Sequence, residues 1–171
     1  TLAKVKESGV ITMGVRDSSG ALSYTLGDGK YGGFHVELCQ RIIANLEKTV
    51  GKKLEVKYLP VTSQNRIPLV QNGTVDLECG VTTNLTSRQN QVAFGDTFFV
   101  ATTRLLTRKD SGVKDFPDLA GKTVVTNQGT TSERILRKMN EAKKMNMQII
   151  SAKDYGEGRM TLETGRAVAY M

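Results

Sequence analysis

Two kinds of apolar run alternate along this chain, and their alternation narrows the fold more than any other feature. "VITMGV" (10–15) is a continuous β-type run between Gly9 and a Ser/Gly-rich segment. "GFHVELCQRIIANLEKTVG" then sets Phe34, Leu38, Ile42 and Leu46 four apart, with Cys39, Ile43 and Val50 alongside. That spacing predicts an amphipathic helix ended by Gly51. "LEVKYLP" (54–60) alternates Leu54, Val56 and Tyr58 as a strand does. Ser63 stands at an N-cap position for a short helix, "RIPLVQNG", that stops at Gly73. "TVDLECGV" is the next strand and "LTSRQNQV" a short helix behind a Thr86 cap. With a short helix from Thr1 to Ser8 in front, residues 1–90 read β-α-β-α-β, the order of a parallel sheet with helices on its faces.

"FGDTFFVATTRLLT" (94–107) is β-branched and aromatic without helical period, and predicts extended chain. "KDSGVKDFPDLAG" follows as a polar segment with Gly and Pro, where one lobe hands over to another. The alternation then restarts with strand 122–126, a "NQGTTS" turn, a helix from 132 to about 144, strand 147–151, a helix from about 156 to 164, and strand "RAVAYM". The expected division is 1–103 for a first α/β lobe and 104–171 for part of a second. The last apolar run reaches Met171 without cap or polar tail, so the chain reads as incomplete.

Bulk properties exclude several classes. No apolar run reaches 18 residues, so no membrane-spanning helix is predicted. The N-terminus carries no basic-then-apolar leader, so any export signal is already removed or never existed. A net charge of +7 raises nucleic-acid binding as a reading, but the basic residues are scattered among acids and no groove-reading motif is present. The charge is read instead as solubility with some attraction for small anions. His35 is the only histidine, on the outer turn of a helix, and is expected to be structural or solvated. It leaves no Ser/His/Asp set and no metal-ligand cluster, so no cofactor is expected. Cys39 and Cys79 admit three states: a disulfide, two buried thiols, or halves of bridges to other partners.

The residues that point to binding share one address. In an open parallel sheet, ligands gather at the carboxyl ends of the strands. Arg16 follows the first strand there, Ser63 and Arg66 the second, Thr82, Thr83 and Arg88 the third, and Thr130, Thr131 and Ser132 open a helix in the second half. Ser63, Thr86 and Thr131 read equally well as helix caps. Arginine in a first helical turn is disfavoured by the macrodipole, so Arg66 and Arg88 call for an offsetting anion. Guanidinium holds a carboxylate through two parallel bonds, which suits a ligand with more than one carboxylate. "NQGTTSE" offers donors at a helix start but lacks a phosphate-loop signature. Tyr24 stands at a loop tip near Arg16, either walling a pocket or covering a core edge.

These strings, together with "TSQNRIPLVQNGTVDLECG", "RQNQVAFGDTFFV", "KMNMQIISAKD" and "TLETGRAVAYM", resemble the periplasmic solute-binding proteins of amino-acid ABC transporters, in the glutamate/aspartate-binding branch. The resemblance covers essentially the whole chain. It implies an α/β, two-lobed type II clamshell with the second lobe and return segment incomplete, binding L-glutamate or L-aspartate in the periplasm for an inner-membrane ABC permease. It implies that Arg88 clamps the ligand α-carboxylate with help from Thr83 and Thr131. Arg16, Ser63 and Arg66 then hold the side-chain carboxylate. Two positions depart from the branch: Val81 stands where a serine is usual, leaving a backbone carbonyl for the ammonium, and Tyr155 replaces a histidine near the side-chain carboxylate. Rival readings are a dehydratase-like enzyme on the same fold, drawing on Tyr155, Asp17 or Glu133, and a sensory or receptor domain.

Overall fold

Strand formation follows the apolar runs closely in the first ninety-odd residues. The computed structural model describes residues 1–171. Helix α1 (Leu2–Ser8) stops at Gly9, whose φ of 72° places it in the left-handed region that glycine enters without penalty. Strand β1 (Val10–Val15) follows, then a hairpin of β2 (Tyr24–Gly27) and β3 (Lys30–Gly32) inside what the sequence presents as a loop. Helix α2 (Phe34–Val50) leads to β4 (Glu55–Pro60), α3 (Arg66–Gln71), β5 (Leu77–Glu78) and α4 (Thr86–Gln89). The strands β4-β1-β5 form one sheet, all parallel, with β1 in the middle. The chain thus crosses from one side of β1 to the other between β4 and β5, and that reversal opens a crevice at the strands' carboxyl ends.

The core of this sheet is built from Val5, Ile11, Met13, Val15, Val36, Cys39, Ile43 and Leu54. Helix α2 is rotated from the expected phase. Phe34 and Ile42 are 51% and 46% exposed, while His35, Val36, Cys39 and Ile43 are buried. A helix this rich in apolar residues has two overlapping candidate stripes, and the one carrying Cys39, bonded to Cys79 just past β5, faces inward. His35, expected on an outer turn, is therefore inside.

The second set of elements is β6 (Leu106–Thr107), β7 (Thr123–Asn127), α5 (Thr131–Ala142), β8 (Gln148–Ala152), α6 (Tyr155–Glu163) and β9 (Ala169–Tyr170). The sheet order is β6-β9-β7-β8, with β7 parallel to both β8 and β9 and β6 antiparallel to β9. Its core is formed by Leu119, Val124, Leu136, Met145, Met147 and Ala169.

The chain divides into two compact units, Thr1–Gly95 and Asp96–Met171, whereas the sequence reading set the division at 103. Of the extended run expected over 94–107, Leu106–Thr107 forms strand. Strand structure requires a laddered partner, and Leu106 and Thr107 alone find one, in Tyr170 and Ala169. No helix is long and apolar enough to cross a membrane.

Candidate ligand-binding site

Arg16 is the first residue past β1, and only 2% of it is exposed. Its backbone N–H donates to Ser23 Oγ at 2.9 Å, and its Nη1 donates to Ser63 Oγ at 2.8 Å. Ser63, 4% exposed, is therefore engaged with an arginine across the strand ends and does not cap α3. The cap position belongs to Asn65, and Asn65 with Thr62 closes the turn reciprocally: Thr62 N–H donates to Asn65 Oδ1 at 2.8 Å and Asn65 N–H to Thr62 Oγ1 at 3.2 Å. Arg66 opens α3, is 3% exposed, and has its backbone N–H on Thr62 O at 3.2 Å. Burying two guanidinium groups in one small unit is expensive unless each is hydrogen-bonded and faces negative charge.

The loop after β5 completes this edge. Cys79 N–H donates to Gly14 O at 2.8 Å, and Gly80 follows, buried against Arg16. A methyl group on Gly80 would stand 3.0 Å from Arg16 Cγ and would force the Glu78 carboxylate aside, so glycine lets the backbone lie close to the arginine stem without displacing either side chain. Val81 and Thr82 are half-buried and Thr83 is exposed. Arg88, half-buried on α4, donates from Nη1 to Thr83 O at 3.1 Å. Contacts thus run from Ser63 through Arg16 to Gly80 and, three residues on, from Thr83 to Arg88, linking the ends of β4, β1 and β5. Thr86 is inside α4, whose cap position is Leu85.

Neighbouring groups extend the first unit's site electrostatics. Asp17 Oδ1 accepts from Tyr31 Oη at 2.9 Å, and burial, with that hydrogen bond and the carboxylate charge added, raises the Tyr31 phenol above its ordinary value. Tyr24 lies on β2 over Gly32 and is 39% exposed, so it covers the hairpin.

In the second unit, Thr130 caps α5: its Oγ1 accepts from Glu133 N–H at 3.1 Å and donates to Asn127 O at 2.7 Å. Thr131, read equally as a cap, is instead the first residue of α5. Tyr155 is likewise the first residue of α6, behind an Asp154 cap whose Oδ1 accepts from Glu157 N–H at 2.9 Å. Glu133 accepts from Ser151 Oγ at 2.6 Å, from Gly129 N–H at 2.7 Å and from Arg137 Nη2 at 3.0 Å. Burial pushes its carboxyl up, but the Ser151, Gly129 and Arg137 donors outweigh burial and hold it below the ordinary carboxylate value.

Residues 11–158 match the bacterial extracellular solute-binding proteins, family 3. The chain belongs to that family. Over its whole length it is 54% identical to the glutamate/aspartate import solute-binding protein of Salmonella typhimurium and 55% identical to the L-glutamate/L-aspartate-binding protein of Pseudomonas aeruginosa. It spans 57% of the length of each of these curated relatives. Among solved structures, the solute receptor for L-cysteine of Neisseria gonorrhoeae matches with a TM-score of 0.85 at 26% identity, covering 99% of this chain and 66% of that one. The α/β type II binding-protein fold class follows from these matches.

Sequence reasoning missed one contributor to this edge of the family 3 fold and left a second open. His35 Nδ1 is hydrogen-bonded to Gly80 O, and Cys39 is bonded to Cys79, so α2 holds the segment that packs on Arg16. A lone histidine carries no local signal of such a role. The cysteine spacing carried one only as one of three possibilities.

Proposed function

We propose that the full-length protein binds L-glutamate or L-aspartate in the periplasm and passes it unchanged to an inner-membrane ABC permease. The observation that carries this reading is the pair of buried arginines, Arg16 and Arg66, with Ser63 bonded to Arg16, at the carboxyl edge of a parallel sheet. Buried guanidinium favours a carboxylate over an amide, because only the carboxylate offers it two parallel charge-assisted bonds. In this reading Arg16, Ser63 and Arg66 take the ligand's side-chain carboxylate. Arg88 and Thr83 take its α-carboxylate, the Val81 carbonyl accepts from the ammonium, and Thr131 and Tyr155 keep the roles the family resemblance implies. The names of the relatives from Salmonella typhimurium and Pseudomonas aeruginosa support the ligand class.

The carboxylates on which an enzymatic reading would draw are already committed. Asp17 accepts from Tyr31, and Glu133 is held ionised by three donors, which suits neither a general acid nor a mobile base. This supports binding without chemistry.

Calorimetric titration of the full-length protein with an amino-acid panel tests the proposal. Glutamate and aspartate are expected to bind on the order of 100-fold more tightly than glutamine and asparagine, since losing one partner of a buried, hydrogen-bonded charge pair costs roughly 3 kcal/mol. Equal binding of glutamine overturns the assignment of Arg16 and Arg66. Arg88→Ala is expected to weaken glutamate, aspartate and glutamine by a common factor of about 10 to 100, because every amino acid carries the α-carboxylate. A loss confined to the acidic ligands would move Arg88 to the side-chain end of the site.

A further inference from the structure

We propose that His35 is a positioning residue that sets the protein's preference for an acidic over an amide side chain without touching the ligand. The inference rests on the reading that Arg16 receives the side-chain carboxylate. Helix α2 presents His35 and Cys39 one turn apart on its buried face, both about 5% exposed. From that face it grips two consecutive residues of the loop after β5. Cys39 is bonded covalently to Cys79, and His35 Nδ1 is hydrogen-bonded to the carbonyl of Gly80. A carbonyl can only accept, so Nδ1–H is the donor in this bond.

Gly80 is where this grip reaches the site. With only a hydrogen on its Cα, its backbone rests on the Arg16 stem, at the point where a methyl group would lie 3.0 Å from Cγ. Arg16 in turn places Nη1 on Ser63 Oγ at 2.8 Å. The path is short and buried throughout: imidazole to Gly80 carbonyl, Gly80 Cα to Arg16 side chain, guanidinium to Ser63. Packed interiors transmit small displacements because they have no free volume to absorb them. If His35 stops holding the Gly80 carbonyl, the surface that confines Arg16 relaxes, and the guanidinium loses the geometry that a two-bond grip on a carboxylate requires. Arg88 donates to Thr83 further along the loop and is less constrained by this path.

The test uses His35→Leu, His35→Asn and Gly80→Ala in the full-length protein, with glutamate and glutamine affinities measured by calorimetry and the thermal midpoint recorded for each variant. His35→Leu removes the donor. It is expected to lower glutamate affinity by about 10-fold and glutamine affinity by much less, so that the glutamate-to-glutamine ratio falls by several-fold. Asparagine's amide can donate from nearly the position of Nδ1, so His35→Asn is expected to restore most of the ratio. Gly80→Ala displaces the flexible Glu78 carboxylate and presses on the Arg16 stem, and is expected to lower the ratio as well. A His35→Leu protein that melts earlier but keeps the wild-type ratio makes His35 merely structural and overturns the inference. If His35→Leu does not fold, the other two variants decide: an unchanged ratio in Gly80→Ala also overturns it. A wild-type protein with no preference for glutamate removes the functional reading itself, and the inference with it.

Discussion

Arg66→Ala is expected to erase the preference for glutamate over glutamine, with glutamate affinity falling on the order of 100-fold and glutamine affinity nearly unchanged. Arg66 is 3% exposed at the start of α3, so its guanidinium acts in a low-dielectric setting where charge-assisted bonds count for more than at the surface. Truncating one member of a buried, hydrogen-bonded charge pair costs about 2–5 kcal/mol, largely because the surviving carboxylate is left without compensation. Glutamine brings no charge to this end of the site and so loses little. Arg66→Lys separates charge from geometry: it keeps the cation but loses the planar fork, and an intermediate preference is expected. Titrations of both variants with both ligands give the answer. An Arg66→Ala protein that still discriminates glutamate from glutamine as the wild type does would show that the charge at this position is not what the ligand meets.

The second large effect is on stability. Cys39 and Cys79 form a disulfide with Cα atoms 6.3 Å apart and a sequence separation of 40. Closing a loop of that length removes roughly 4 kcal/mol worth of unfolded-chain entropy. Reduction, or replacement of both cysteines by alanine, is expected to destabilise the first unit by about that amount. For a unit of this size each kcal/mol shifts the melting midpoint by about 4–8 °C, so a fall on the order of 15–30 °C is expected. Thermal melts with and without a dithiol reductant measure it, and a shift of only about 2 °C would mean that the reduced chain retains the same constraint by packing alone. The bond joins α2 to the residue before Gly80, so reduction is also expected to blunt glutamate affinity at temperatures where the protein stays folded. A disulfide of this kind persists in an oxidising compartment, in keeping with the proposed periplasmic location.

Several features were legible in the linear chain because they depend on local chemistry. The β-α-β-α-β order came from runs whose period is set by backbone geometry, and Gly9, Gly51 and Gly73 end helices because they accept positive φ without a Cβ clash. The address of Arg16, Ser63, Arg66, Thr83 and Arg88 followed from that order, since a parallel sheet puts every residue just past a strand on the same edge. Long strings of residue identity carried the family, which composition and spacing alone do not.

Other features were decided only when distant residues met. Ser63 reads as a cap from its neighbours, yet it holds Arg16, a residue 47 positions away. Which stripe of α2 faces inward was settled by its tertiary contacts, with Cys39 bonded to Cys79 and His35 buried on the same face. Residues 94–107 have the composition of a strand, but the ladder is a two-sided structure, and only Leu106 and Thr107 have another strand to pair with. Local propensity thus specified where elements begin and which sheet edge the arginines occupy. Tertiary contact specified what their side chains touch, because hydrogen bonding and burial are properties of pairs that sequence separation conceals.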